Sequence, residues 1–74
     1  NYYNLKEDSK LSLNIYNSTG KHVKSLFDEY QSKGSRSIKW NATNDRNDPV
    51  SAGLYIFTMQ VGKFRQTKKI VLLK

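Results

Sequence analysis

The residues that could do chemistry in this chain are few and scattered. His22 is the single histidine. It follows a turn and opens an alternating segment, and nothing in the sequence marks a nucleophile or an orienting acid beside it. Ser51, in Val50-Ser51-Ala52-Gly53, does not sit in a nucleophile-elbow pattern. Asp28 and Glu29 are neighbours, but adjacent strand residues point to opposite faces and cannot share a site. The run Asn44-Asp45-Arg46-Asn47-Asp48 places oxygen ligands at alternating positions, as a calcium loop would. Asp45, Asn47 and Asp48, with Asn44, are therefore the metal candidates. Yet no glycine marks a sharp turn, no bidentate Glu follows, and Arg46 puts a positive charge inside the set. Asx-turn chemistry accounts for the same residues without a metal. Asn17-Ser18-Thr19 and Asn41-Ala42-Thr43 match the glycosylation sequon, and both are turn-like for other reasons. The expectation is a protein with no enzyme activity, no cofactor and no metal.

The totals narrow the field further. Seventy-four residues make one domain, spanning 1–74, with a small core and little room for a deep pocket. There is no cysteine, so disulfides and thiolate metal sites are excluded. The net charge is +7, and no acid lies beyond Asp48. The tail carries Lys63, Arg65, Lys68, Lys69 and Lys74 without countercharge. Such a face protects a sheet edge from unwanted pairing, or meets an acidic partner or polyanion. No window approaches a transmembrane span, and no signal-peptide pattern is present. Asn1 is not an initiator methionine, so the chain is expected to be a piece of something longer.

Elements must position these groups, and alternation dominates the pattern. Leu11, Leu13 and Ile15 sit two apart with Ser12 and Asn14 between them, which predicts a strand with one wet face. Asn17-Ser18-Thr19-Gly20 is a turn, and His22 to about Tyr30 returns as the partner strand. A weak helical reading of residues 21–31 (Val23, Leu26, Phe27, Tyr30) has no cap. Ser32-Lys33-Gly34-Ser35 is the next break, and Arg36 to Trp40 follows as a short strand with Ile38 and Trp40 on one side. Residues 41–50 read as a polar loop with no regular pattern. Leu54 to Val61 is a strand, Gly62-Lys63 turns the chain, and Phe64 to Leu73 finishes it. Ile70-Val71-Leu72-Leu73 is apolar on both faces, so it belongs inside a sheet stack or has a face covered by a partner. Six or seven short strands with turn residues between them predict an all-β, antiparallel Ig-like or fibronectin-III-like β-sandwich. Its predicted core is Leu13, Ile15, Val23, Leu26, Ile38, Trp40, Tyr55 and Phe57. The large aromatics are assigned to the core rather than to a nucleic-acid platform, so no nucleic-acid partner is expected.

A resemblance then emerges along nearly the whole chain. Leu11-x-Leu13-x-Ile15-Tyr16-Asn17-x-x-Gly20-x-x-Val23-x-x-Leu26 resembles the first hairpin of a bacterial Ig-like module. Gly34-x-x-x-Ile38-x-Trp40, Ser51-Ala52-Gly53-Leu54-Tyr55-Ile56-Phe57 and Lys68-Lys69-Ile70-Val71-Leu72-Leu73-Lys74 resemble its later strands. The pattern is similar to the type A C-terminal sorting domain of type IX secretion cargo and to the Ig-like domain of the flagellar hook-capping protein. That family usually follows its tryptophan with Asp-Gly, where this chain has Asn41-Ala42. A glycine usual in the next loop is replaced by Asn47 or Asp48. The Pro-rich start is missing, which implies a first strand truncated to Tyr2-Tyr3-Asn4-Leu5.

The sorting-domain resemblance implies a non-catalytic signal attached to an N-terminal cargo domain. Its partners would be an outer-membrane translocon, a shuttle protein and a sortase. The cargo would pass through the periplasm to the cell surface or the medium. Within it, Gly53, Tyr55, Lys69, Ile70, Val71 and Lys74 are the expected recognition element. The alternatives are a passive Ig-like structural or interaction domain of a surface protein, in the manner of a hook-cap scaffold, and a small polyanion- or carbohydrate-binding module.

Overall fold

The computed structural model describes residues 2–74. Among them the chain forms six strands and no helix: β1 (Tyr2–Leu5), β2 (Ser9–Asn17), β3 (His22–Gln31), β4 (Gly34–Ser37), β5 (Gly53–Val61) and β6 (Phe64–Leu72). Every pairing between them is antiparallel. β3-β2-β5-β6 make a four-stranded sheet, and β1-β4 make a two-stranded one. The alternation read from β2 drives the packing. Leu11, Leu13 and Ile15 are fully buried, and Tyr55, Phe57 and Met59 of β5 lie on the same face beside them. Leu5 of β1 closes the core from the other sheet, with Tyr3 and Ile38 packed against it.

Four of the predicted core residues are buried: Leu13, Ile15, Tyr55 and Phe57. Val23, Leu26, Ile38 and Trp40 are half-buried and pack against that cluster. The buried Leu5, Leu11 and Met59 complete it. The aromatics divide in a way that composition did not anticipate. Tyr2, Tyr30 and Phe64 are each more than three-quarters exposed, at 84%, 78% and 80%. Tyr2 and Tyr30 fall on the outer phase of their strands. Phe64 lies where the two-stranded sheet no longer reaches.

Two boundaries differ from expectation. Gly34 and Ser35 belong to β4 rather than to a break, and Ile38 and Trp40 lie beyond its end. Among the described residues the ladder with β1 runs from Leu5↔Gly34 to Tyr2↔Ser37. The loop 41–50 is not patternless either. Thr43 bridges Pro49, Asn44 N–H donates to the Asp48 carbonyl (2.9 Å), and Val50 N–H donates to the Ala42 carbonyl (3.0 Å). Within it Ala42 and Asn47 take positive φ, at 60° and 64°.

Trp40 is fixed from two sides. Its Nε1 donates to the Thr43 carbonyl (2.9 Å), and its ring meets Tyr55 and Phe57 edge-on at 5.1 and 5.7 Å. Tyr55 in turn donates its hydroxyl to the Ser51 carbonyl (2.6 Å), four residues upstream. A buried tyrosine tied back to the main chain pins the entry into its strand, a device recurrent in Ig-like sandwiches.

Candidate functional site

Two regions bring polar side chains together: the end of the sandwich around His22, and the free edge of β6.

At the sandwich end the tertiary structure supplies partners that the sequence did not mark. His22 Nε2 lies 3.1 Å from Ser25 Oγ, and His22 Nδ1 lies 3.5 Å from Asp45 Oδ2. The expectation that neither a hydroxyl nor an acid stands beside His22 is therefore corrected. Asp45 arrives from twenty residues away, through a loop whose docking no local pattern announces. The order Ser–His–Asp matches a hydrolytic triad, but the hydrogen bonds run elsewhere. Ser25 Oγ donates to Asn14 Oδ1 (2.8 Å), to which His22 Nε2 is also close at 3.1 Å. Ser25 N–H, the natural oxyanion donor beside such a nucleophile, is taken by Asp45 Oδ1 (2.9 Å). His22 and Asp45 side chains are 39% and 52% exposed, so no dry pocket strengthens their interaction.

The arrangement does a structural job. Asp45 N–H donates to the Val23 carbonyl (3.1 Å) while its carboxylate accepts from Ser25 N–H, so the loop plugs the outer edge of β3. Lys24 drives its ammonium into the same loop, donating to the Asn44 carbonyl (3.1 Å) and Asn47 Oδ1 (3.2 Å). Of the candidate calcium ligands, Asn47 Oδ1 is thus turned on a lysine, and Asn44 Oδ1 and Asp45 Oδ1 on main-chain N–H groups. No grouping of metal-ligating side chains occurs among the described residues.

The residues expected to form a recognition element lie on β5, on β6 and just past its end. Among the described residues β6 pairs with β5 along one side and has no strand on the other. The register Tyr55↔Ile70, Phe57↔Lys68 and Met59↔Gln66 puts Gln66, Lys68, Ile70 and Leu72 on the core side. Arg65, Thr67, Lys69 and Val71 face outward. Ile70 and Leu72 are half-buried, whereas Val71 is 65% exposed and Leu73 82% exposed. β6 is therefore an edge strand with an open outer face, not one enclosed in a stack. The two-stranded sheet is too narrow to cover it. Beside it lies a cleft of about 320 Å³ into which Tyr3, Leu13, Phe57 and Met59 look.

Among the expected recognition residues, Lys69 and Val71 share this outer face, Ile70 points to the core, and Lys74 lies past the end of β6. Tyr55 is buried and takes no part in the surface. Gly53 opens β5 with φ 147°, and a Cβ there would meet nothing within 4 Å. Its glycine serves backbone conformation rather than a close approach.

Two antiparallel sheets closed over a small apolar core, a tryptophan lying across it and a tyrosine tied back to the main chain define an Ig-like β-sandwich module. More specifically, the family model of the FlgD Ig-like domain matches residues 2–63, and the chain belongs to that family. The match stops one residue short of β6. No curated protein and no solved structure matches the chain.

Proposed function

We propose that this chain is a non-catalytic Ig-like structural and interaction domain whose contact surface is the free edge of β6. The family match over residues 2–63 carries this reading. The open strand supports its second half: unpaired backbone groups on β6 offer a ladder to an extended segment of a partner. Arg65 and Lys69 on the outer face select an acidic segment and speed its arrival, while Val71 gives it an apolar contact.

A second reading makes the same edge a sorting signal for type IX secretion, with the translocon, shuttle protein and sortase as its receptors. It draws on the basic, apolar ending Lys68-Lys69-Ile70-Val71-Leu72-Leu73-Lys74 and on the open position of that strand. The family match does not extend to those residues.

Fusion of residues 1–74 to a periplasmic reporter, in a host with a type IX apparatus, separates the two. The structural-domain reading expects the reporter to stay in the periplasm, with or without residues 69–74. Surface delivery that disappears when those residues are removed would replace it with the sorting reading.

A further inference from the structure

A second surface, on the β3 side of the sheet, has a hydrogen-bonding character of its own. The β2–β3 turn and the 41–50 loop enclose a cleft of about 490 Å³, within the size range of small-molecule sites. Asn17, Lys21, Asn44 and Arg46 line it alongside Val23 and Val50.

The asparagine oxygens of this lining are already engaged, and the Asp45 carboxylate is engaged in part. Asn17 Oδ1 accepts from Thr19 N–H (3.0 Å), Lys21 N–H (3.0 Å) and the Thr19 hydroxyl (2.7 Å). Asn44 Oδ1 accepts from Arg46 N–H (2.9 Å) and Asp48 N–H (3.0 Å). The Asp45 carboxylate is held by Ser25 N–H (2.9 Å) and lies against His22 Nδ1 (3.5 Å). Main-chain N–H groups only donate, so both asparagine oxygens are fixed inward and both amide NH₂ groups are left over. The Lys21 ammonium and the Arg46 guanidinium take no partner within the chain, among the described residues. What remains for a ligand is mostly donors, two of them cationic, set against the single half-exposed carboxylate of Asp45.

Such a cleft favours a molecule that brings oxygens and negative charge. A peptide also brings a run of backbone N–H groups, for which the lining side chains offer little beyond the Asp45 carboxylate. A uronic-acid saccharide brings a carboxylate for the guanidinium fork and a ring of further oxygens for the amides. We propose that this cleft binds acidic saccharides, with Arg46 and Lys21 holding the carboxylate and the Asn17 and Asn44 amides donating to neighbouring oxygens.

The test is a titration of the ¹⁵N-labelled 74-residue chain with trigalacturonate, with its methyl ester and a tetraglutamate peptide as comparisons. Trigalacturonate is expected to shift amides of residues 17–23 and 44–50, and the methyl ester to bind at least about tenfold more weakly. Lys21→Gln with Arg46→Gln is expected to weaken trigalacturonate about tenfold or more, with Arg46→Lys retaining part of the affinity. Both side chains are exposed, so the fold persists and the unshifted remainder of the spectrum reports it. Arg65→Gln with Lys69→Gln is expected to leave the affinity unchanged. No shift in the cleft, equal binding of the methyl ester, tighter binding of the peptide, or a dependence on Arg65 and Lys69 overturns the proposal.

Discussion

Ala42 is held at φ 60°, in a region that costs an L-residue roughly 1–2 kcal/mol. It occupies the position after Trp40 and Asn41 where similar domains carry glycine. Asn47, at φ 64°, tolerates the same region because its short amide bonds locally, but alanine has no such compensation. Ala42→Gly is therefore expected to stabilise the domain by about 0.5–1 kcal/mol, after allowance for the greater freedom of glycine in the unfolded chain. In a domain of this size that raises Tm by roughly 3–6 °C. A calorimetric Tm at or below that of the parent would show that the loop does not store this strain. The departure from the usual Asp-Gly was legible in the sequence as a turn position. Its sign of φ was not, because that depends on how the loop closes between Val50 and Ala42.

Among the elements, the decisive partnership is between β3 and the 41–50 loop. β3 has β2 on one side only, and its other edge is shielded by Asp45. Asp45→Ala removes the acceptor for Ser25 N–H and leaves the loop held to β3 by Lys24 and the main-chain bond from residue 45 to Val23. We expect amide exchange at Ser25 to accelerate about tenfold or more, with a loss of about 1–2 kcal/mol in global stability. Unchanged protection at Ser25 would mean that the loop is held by its own internal bonds. The strands themselves were readable from alternation: β2, β3, β5 and β6 fall close to where Leu11, His22, Leu54 and Phe64 place them. β4 was read too late because Ile38 and Trp40 look like alternating strand residues. They pack on the core from irregular backbone instead, a placement that alternation alone does not distinguish from a strand.

The molecule as a whole is small, cationic and covered unevenly. Thirteen lysines and arginines face six acids. The longest dimension is 35 Å and the other two are 20 Å. At about 10 mM salt the Debye length is roughly 30 Å, so like charges repel across the entire body; near 150 mM it falls to about 8 Å. Raising NaCl over that interval is expected to raise Tm, because the compact state suffers more from this repulsion than the unfolded chain does. A Tm that is flat or falls over the same range would indicate that the positive charges are spaced widely enough not to matter. The same scale explains the bare edge of β6. Two short strands cannot cap four long ones, and β6, last in the order of the larger sheet, keeps Val71 exposed on its outer face.

Alternating apolar residues, asparagine-glycine turns and a bridging tryptophan were enough, read along the chain, to specify an antiparallel sandwich and much of its core. Those signals act between residues a few positions apart, where backbone geometry is dictated by neighbouring side chains. The tertiary structure alone decided that Asp45 meets Ser25 and His22, that Lys24 bonds into the loop that carries the metal candidates, and that the asparagines beside Lys21 and Arg46 turn their donors outward. Each of these depends on where a loop settles against a strand about twenty residues away, or on which atom of an amide the folded backbone claims.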